Sequence, residues 1–351
     1  IIDTAGIDDE GFLGQLRIKK TMQVLNKTDL ALIVIDPVLG LGEFEIRLKE
    51  AIEKKNIPIV FAVSKADTPQ FSSETVKAWE TLLGAPIVPV SSITKAGIEE
   101  LKRQMIKAAP RQFEEPSIIG DLLRSEELAV LVVPIDTAAP KGRLILPQVQ
   151  TLRDILDHNA MSLVVKERDL PAALSYLAVK PKIVITDSQA FGQVAAVTPD
   201  DVLLTSFSIL MARYKGDLQE LVKGAAKVRE LKPGNRILIA EACTHHRQDD
   251  DIGKVKIPRL LSQYVGGELR FEWSSGTGYP ENLAEFDLVV HCGACMINRR
   301  EMLHRIAQAK EAGVPIVNYG VLLAFLHGIL ERALMPFPHA LQVWEETAQI
   351  S

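Results

Sequence analysis

The sequence predicts an α/β protein built of three successive α/β domains, and three observations predict it. Short aliphatic and β-branched runs alternate with amphipathic stretches, the pattern of βαβ units around a parallel sheet. At 351 residues the chain exceeds one ordinary domain. Its composition is that of a folded globule, 47% hydrophobic and 24% charged with 22 Gly and 19 Pro, which excludes disordered, collagen-like and low-complexity classes.

The first domain, 1–112, reads as a truncated parallel sheet. Strands are expected at Leu30–Ile35, Ile57–Val63 and Ile87–Val90, where apolar β-branched residues cluster. Helices fit Gly42–Lys55 and Ser73–Leu83, the second closed by Gly84 as a C-cap. Ile98–Ala108 ends the domain as a helix, and Pro110 to Pro116 reads as a boundary. Ile1-Ile2 resembles the tail of a strand, so residues upstream are expected to be missing; no signal-peptide pattern is present.

The second domain, 113–193, alternates a buried strand at Leu128–Val133, a helix at Val149–Leu156, a strand at Ser162–Val165, a helix at Pro171–Val179 and a strand at Ile183–Thr186. The third, 194–351, opens with helical patterns at Val202–Tyr214 and Asp217–Glu230. Strands follow at Arg236–Ala240, Leu288–His291 and Val314–Asn318, with helices at Ile257–Val265, Arg300–Ala312 and Gly320–Arg332.

Charge and composition narrow the function classes. A net charge of −5, from 40 basic and 45 acidic residues, leaves no basic footprint for nucleic acid. The greasiest stretch, Pro315 to Leu330, is interrupted by Asn318, Tyr319 and His327, so no membrane span is expected. Three cysteines exclude a disulfide framework and favour a reducing, cytoplasmic setting.

Two constellations carry chemistry. The first is Asp3-Thr4-Ala5-Gly6, then Ser64-Lys65-Ala66-Asp67 after one strand and Ser91-Ser92-Ile93 after the next. Each alone is an ordinary turn. In this order, at strand ends, they resemble the loops of translation-factor-like GTPases. That resemblance implies Mg²⁺ held through water by Asp3 and a γ-phosphate met by the Gly6 amide. It implies Asp67 and Lys65 on the guanine base, with Ser91, Ser92 and Ile93 in the loop that contacts its O6. Ser64 stands where those GTPases carry Asn, which weakens one loop brace. Ile7 stands where Ras-like proteins carry a water-orienting Gln, so hydrolysis is expected to be slow or organised with help from a monovalent cation. No G-x-x-x-x-G-K-[ST] occurs, and the chain as it stands is not expected to bind GTP properly.

The second gathers all three cysteines beside histidines: Cys243-Thr244-His245-His246 and His291-Cys292-Gly293-Ala294-Cys295. Both follow strands, at the carboxyl ends where α/β sheets open a crevice. Buried cysteines in a polar loop would be the bland explanation; the clustering argues against it. Ligand chemistry leaves two metals open. Zinc accepts three thiolates with His245 as fourth ligand. A 4Fe–4S cluster accepts three thiolates and leaves one iron open.

A GTPase-like domain followed by C-x-H-x(45)-H-C-x-x-C resembles the FeFe-hydrogenase maturation GTPases, the HydF family. The stretches Asp249–Arg259 and Ala139–Pro147 resemble family sequence as well. The resemblance implies a GTPase, a dimerisation and a cluster-binding domain in that order, with Cys243, Cys292 and Cys295 as 4Fe–4S ligands and His245 and His291 at the motif histidines. It implies GTP and Mg²⁺ as cofactors, a homodimer, and a carrier passing a di-iron precursor to apo-hydrogenase alongside radical-SAM maturation enzymes. A radical-SAM role for the chain itself is disfavoured, because Cys243 lies 49 positions before Cys292 rather than in a compact three-cysteine motif.

The remaining polar features read blandly. Arg247, Lys254, Lys256 and Arg259 around Asp249–Asp251 read as a solvated face, with an anion-friendly mouth as the alternative. Trp344 reads as a packing anchor, and His304 and His327 as structural.

Overall fold

Strand β2 (Ile59–Val63) is the clearest product of local sequence: IVFAV is apolar throughout, and it is buried on both faces. Phe61 and Val63 pack into one apolar cluster and Ala62 into another. In the computed structural model, residues 2–3, 21–109, 116–134, 144–242, 251–276, 278–280 and 282–349 are described. The chain forms two compact units, Ile1–Glu115 and Pro116–Ser351.

In the first unit β2 pairs in parallel with β1 (Ala31–Ile35) and β3 (Ile87–Pro89), in the order β1-β2-β3. Helices α1 (Glu43–Lys54), α2 (Ser73–Leu83) and α3 (Ile98–Ala108) complete it. Ser72 Oγ accepts from the Thr75 amide (3.3 Å) to start α2. Gly84, at φ 65°, ends it in the left-handed conformation that only glycine adopts freely.

The second unit holds two four-stranded parallel sheets. One runs β5-β4-β6-β7, from β4 (Leu128–Val132), β5 (Met161–Val165), β6 (Ile183–Thr186) and β7 (Leu203–Ser206). Its crossovers are α4 (Leu146–Asp157), α5 (Leu170–Tyr176) and α6 (Phe191–Val197). The other runs β11-β10-β8-β9, from β8 (Arg236–Glu241), β9 (Arg270–Ser275), β10 (Leu288–His291) and β11 (Ile316–Asn318). Around it lie α7 (Phe207–Lys215), α8 (Leu218–Lys227), α9 (Ile257–Val265) and α10 (Arg299–Glu311). The chain closes with α11 (Tyr319–Leu326), α12 (Leu330–Leu334) and α13 (Pro338–Gln349). One continuous buried core runs through both sheets.

The strand order positions the site. From β8 the chain steps to one side to make β9, then returns to the other side to make β10 and β11. The boundary between β8 and β10 is therefore a topological switch point, the place where open α/β sheets bind their ligands.

Several expected elements differ. The helix expected over Val202–Tyr214 begins only at Phe207: residues 203–206 pair with β6 as strand β7, and Ser206 Oγ accepts from the Ile209 amide (3.2 Å) to start the helix. Val202-Leu203-Leu204 is too short to show a period, and the strand runs straight into the helix with no Gly or Pro between them, so the switch leaves no mark in the sequence. Strand β9 is not among the expected strands: on this edge Phe271 and Trp273 alternate with Arg270, Glu272 and Ser274, a weak apolar signal. The helix expected over Gly320–Arg332 breaks at Gly328, φ 70°, into α11 and α12. That over Pro171–Val179 stops at Tyr176. Among the described residues no helix is long and apolar enough to cross a membrane.

Candidate metal centre and guanine loops

Cys292 is held at three of its atoms. Its amide donates to the Ala240 carbonyl (2.9 Å), extending the β8–β10 ladder by one residue. The Ala242 amide donates to its sulfur (3.1 Å). Its carbonyl meets His291 Nδ1 (2.9 Å). An N–H aimed at sulfur favours the thiolate, the form that binds metal. Chain connectivity matters here: Ala242 immediately precedes Cys243, so the peptide that touches the Cys292 sulfur leads directly into the next cysteine. Cys243 and His245 lie outside the described residues.

Ala294 adopts φ 56°, an uncommon conformation for a residue with a Cβ, and is buried to 2% exposure. This left-handed step turns the chain between Cys292 and Cys295, which are both half-buried. Two sulfurs in one tight turn at a switch point fit a thiolate-bound metal group, and soft donors of this kind select zinc or iron–sulfur clusters. Among the described residues no group of three or more His, Cys, Asp or Glu side chains converges as a metal site would require.

His291 stands apart from ligation. Its ring is fully buried and both nitrogens are engaged, Nδ1 at the Cys292 carbonyl and Nε2 at Arg305 Nη1 (3.2 Å). Burial, with the Arg305 cation beside it, pushes its pKa down to about 4, so the ring is neutral at pH 7. This motif histidine braces the cysteine loop.

Two further side chains stand beside the switch point, Glu241 and Tyr319, neither among the expected site residues. Glu241 ends β8, and its Oε1 accepts from the Tyr319 hydroxyl (3.3 Å) at the start of α11. Burial, with the Glu241 carboxylate and the Cys292 sulfur nearby, holds the Tyr319 phenol well above its ordinary pKa. A Cβ at Gly253 would lie 2.2 Å from that hydroxyl and 2.8 Å from Glu241 Oε1, so glycine is required for the close approach. Glu241 could have been found as an acid at a strand's carboxyl end two residues before Cys243; Tyr319 carried no such signal.

The charged loop is partly a capping device. Asp251 Oδ1 accepts from the Gly253 and Lys254 amides (both 2.9 Å), and Lys256 Nζ donates to Gln189 Oε1 (2.7 Å). Asp249 and Asp250 lie outside the described residues. Trp344 is buried against Phe325, with Arg229 over its ring at 4.5 Å.

In the first unit, Ser64–Asp67 and Ser91–Ile93, the two later segments of the GTPase-like pattern, meet at the carboxyl ends of β2 and β3. The Ala66 amide donates to the Val90 carbonyl (3.1 Å), knitting one loop to the other. Ser64 uses both its amide (2.9 Å) and its hydroxyl (3.2 Å) on the Ile35 carbonyl. Lys65 takes φ 52° and pairs with Asp36 (2.7 Å), and that hydrogen bond holds the Asp36 carboxyl below its usual range. Asp67 is exposed. Ser91 is buried and accepts from the Thr94 amide (3.0 Å), whereas Ser92 and Ile93 project outward. Asp3 is exposed; Gly6 and Ile7 lie outside the described residues.

Comparison with known proteins adds a family relation. The family description "Hydrogen maturase F dimerization domain" matches residues 118–216, and "Hydrogen maturase F tetramerization domain" matches 219–336, together more than half of the chain. GTPase Der of Crocosphaera subtropica is 30% identical over 131 residues, 34% of this chain and 28% of that protein. GTPase Era of Clostridium kluyveri is 26% identical over 145 residues, 37% of this chain and 50% of that protein. The tRNA modification GTPase MnmE of Syntrophomonas wolfei is 28% identical over 131 residues, 37% of this chain and 26% of that protein. The chain thus spans half or less of the length of each of these curated relatives.

Proposed function

The chain belongs to the hydrogen maturase F (HydF) family, and from that premise we propose that it is a GTP-binding carrier in FeFe-hydrogenase maturation. We read it as three domains for nucleotide, dimerisation and cluster; the boundary expected at 193/194 falls inside α6, and the pairing of β7 with β6 carries the second domain past Ser206. Cys243, Cys292 and Cys295 hold a 4Fe–4S cluster, with His245 beside it. When bound, the cluster supplies an iron with a vacant coordination place for a bridging ligand.

The chain's own residues do the rest. The Ala242 amide donates to the Cys292 sulfur and orients it, the left-handed step at Ala294 presents Cys295 within the same turn, and neutral His291 holds the loop. The cargo is a di-iron precursor, the recipient apo-hydrogenase, and radical-SAM maturation enzymes supply the precursor. In the first unit Ser64, Lys65 and Asp67, with Ser91, Ser92 and Ile93, form the guanine pocket; Asp3 and Gly6 serve Mg²⁺ and phosphate. A monovalent cation takes the part of the missing glutamine at Ile7.

The observation that carries the cluster reading is the Ala242 amide on the Cys292 sulfur, at the switch point and one peptide from Cys243. The test is anaerobic reconstitution with iron and sulfide, followed by metal analysis and a visible spectrum. A brown protein holding iron and acid-labile sulfide is expected. Colourless protein that retains only zinc contradicts the reading and leaves a GTP-dependent metallochaperone or regulator with a structural zinc site in its place.

A further inference from the structure

The helix that follows the cysteine loop carries a buried cation. Arg305 of α10 is 2% exposed, and its guanidinium engages several partners at once. Nε donates to Glu301 Oε1, one turn earlier (3.0 Å). Nη2 donates to the Gly276 carbonyl, just past β9 (2.8 Å). Nη1 reaches His291 Nε2 at the end of β10 (3.2 Å), and the guanidinium carbon lies 4.9 Å from the Tyr279 ring centroid. The fork thus ties one helix to the carboxyl ends of the two strands that flank β8, the strand leading to Cys243.

Donor arithmetic fixes what passes along this chain of contacts. A guanidinium has N–H groups and no acceptor, so His291 Nε2 must accept. The ring proton therefore sits on Nδ1 and is donated to the Cys292 carbonyl (2.9 Å). The path runs from Arg305 through the His291 ring to the backbone of Cys292. Apolar residues in place of a buried ion pair often leave stability unchanged or higher. A guanidinium kept here, at the foot of a thiolate loop, is accounted for by geometry.

We propose that Arg305 is the positioning residue of the thiolate loop: through the His291 ring it fixes the Cys292 carbonyl, and with it the direction in which the Cys292 sulfur is offered to a metal. This rests on the reading of Cys292 and Cys295 as ligands. Lysine cannot replace it, because a compact ammonium cannot span three acceptors that a planar fork holds in fixed directions.

The test uses the full chain without metal, titrated anaerobically with Co²⁺, whose thiolate-to-cobalt charge-transfer and ligand-field bands report sulfur ligation. Arg305→Met and Arg305→Lys are both expected to bind Co²⁺ roughly 10- to 100-fold more weakly than wild type, with shifted ligand-field bands. His291→Gln keeps an acceptor for Arg305 and loses the hold on Cys292; it should show the same weakening, and it carries the test should Arg305→Met not fold. Nitrogen NMR of wild type should find the His291 proton on Nδ1. Wild-type affinity and bands in the folded variants, or a proton on Nε2, overturn the inference while the ligand reading stands. Wild type with no thiolate-to-cobalt band overturns the ligand reading, and the inference with it.

Discussion

At Cys292 the hydrogen bond to sulfur comes from a peptide N–H, a donor that no side-chain change at Ala242 abolishes except proline. Ala242→Pro is therefore expected to lower metal content where Ala242→Ser leaves it near wild type, as iron analysis after reconstitution would read. His291 makes a second prediction at this scale. Its folded pKa is depressed to about 4, against 6.5 unfolded, so between these values the unfolded state binds more protons. Stability from this group is full above pH 6.5 and is lost as pH falls toward 4, by about 3 kcal/mol in all. Urea unfolding of metal-free protein across that range should show the loss, and His291→Gln should flatten it. The cysteines were legible in the sequence because clustered soft ligands are rare. The role of His291 was not, since Arg305 reaches it from 14 residues away on another element.

Helices and strands here depend on close approaches that the sequence records only as glycines. A Cβ at Gly224 would sit 1.9 Å from the Ile316 carbonyl oxygen, where α8 crosses β11. Backbone cannot step aside cheaply, so Gly224→Ala is expected to cost about 1–3 kcal/mol. Gly192, on α6, faces open space, and Gly192→Ala should be neutral or stabilising by up to about 1 kcal/mol. Chemical denaturation of the two variants side by side separates them. Strand β5 is an edge whose Met161 and Val164 are 52% and 43% exposed, within the matched dimerization domain. An apolar edge in a chain with dimerization and tetramerization domains is a candidate self-association edge. Val164→Lys should shift the chain toward monomer in light-scattering chromatography, and an unchanged mass would move the interface elsewhere. Strands β2, β4, β6 and β10 are readable as apolar runs, whereas β7 and β9 are not: one is a short LLTS that passes into a helix without a breaker, the other alternates on an edge.

Across the whole molecule, sequence order and spatial order part company in one informative place. Cys243 and Cys292 are 49 positions apart, yet they follow β8 and β10, which lie side by side and share the ladder from Leu288↔Ile237 to His291↔Ala240. The sequence placed both cysteine stretches at strand ends; only the strand order brings those ends together at a switch point. The segments expected at guanine follow the same logic, with Ala66 and Val90 joining two stretches that the sequence could place only one after the other. The most direct measurement of the central claim is low-temperature EPR, with iron content, of reduced, anaerobically reconstituted wild type, Cys243→Ala, Cys292→Ala and Cys295→Ala. The account predicts a reduced 4Fe–4S signal in wild type and its loss, with most of the iron, in every variant. A Cys243→Ala protein keeping wild-type iron and signal would contradict it.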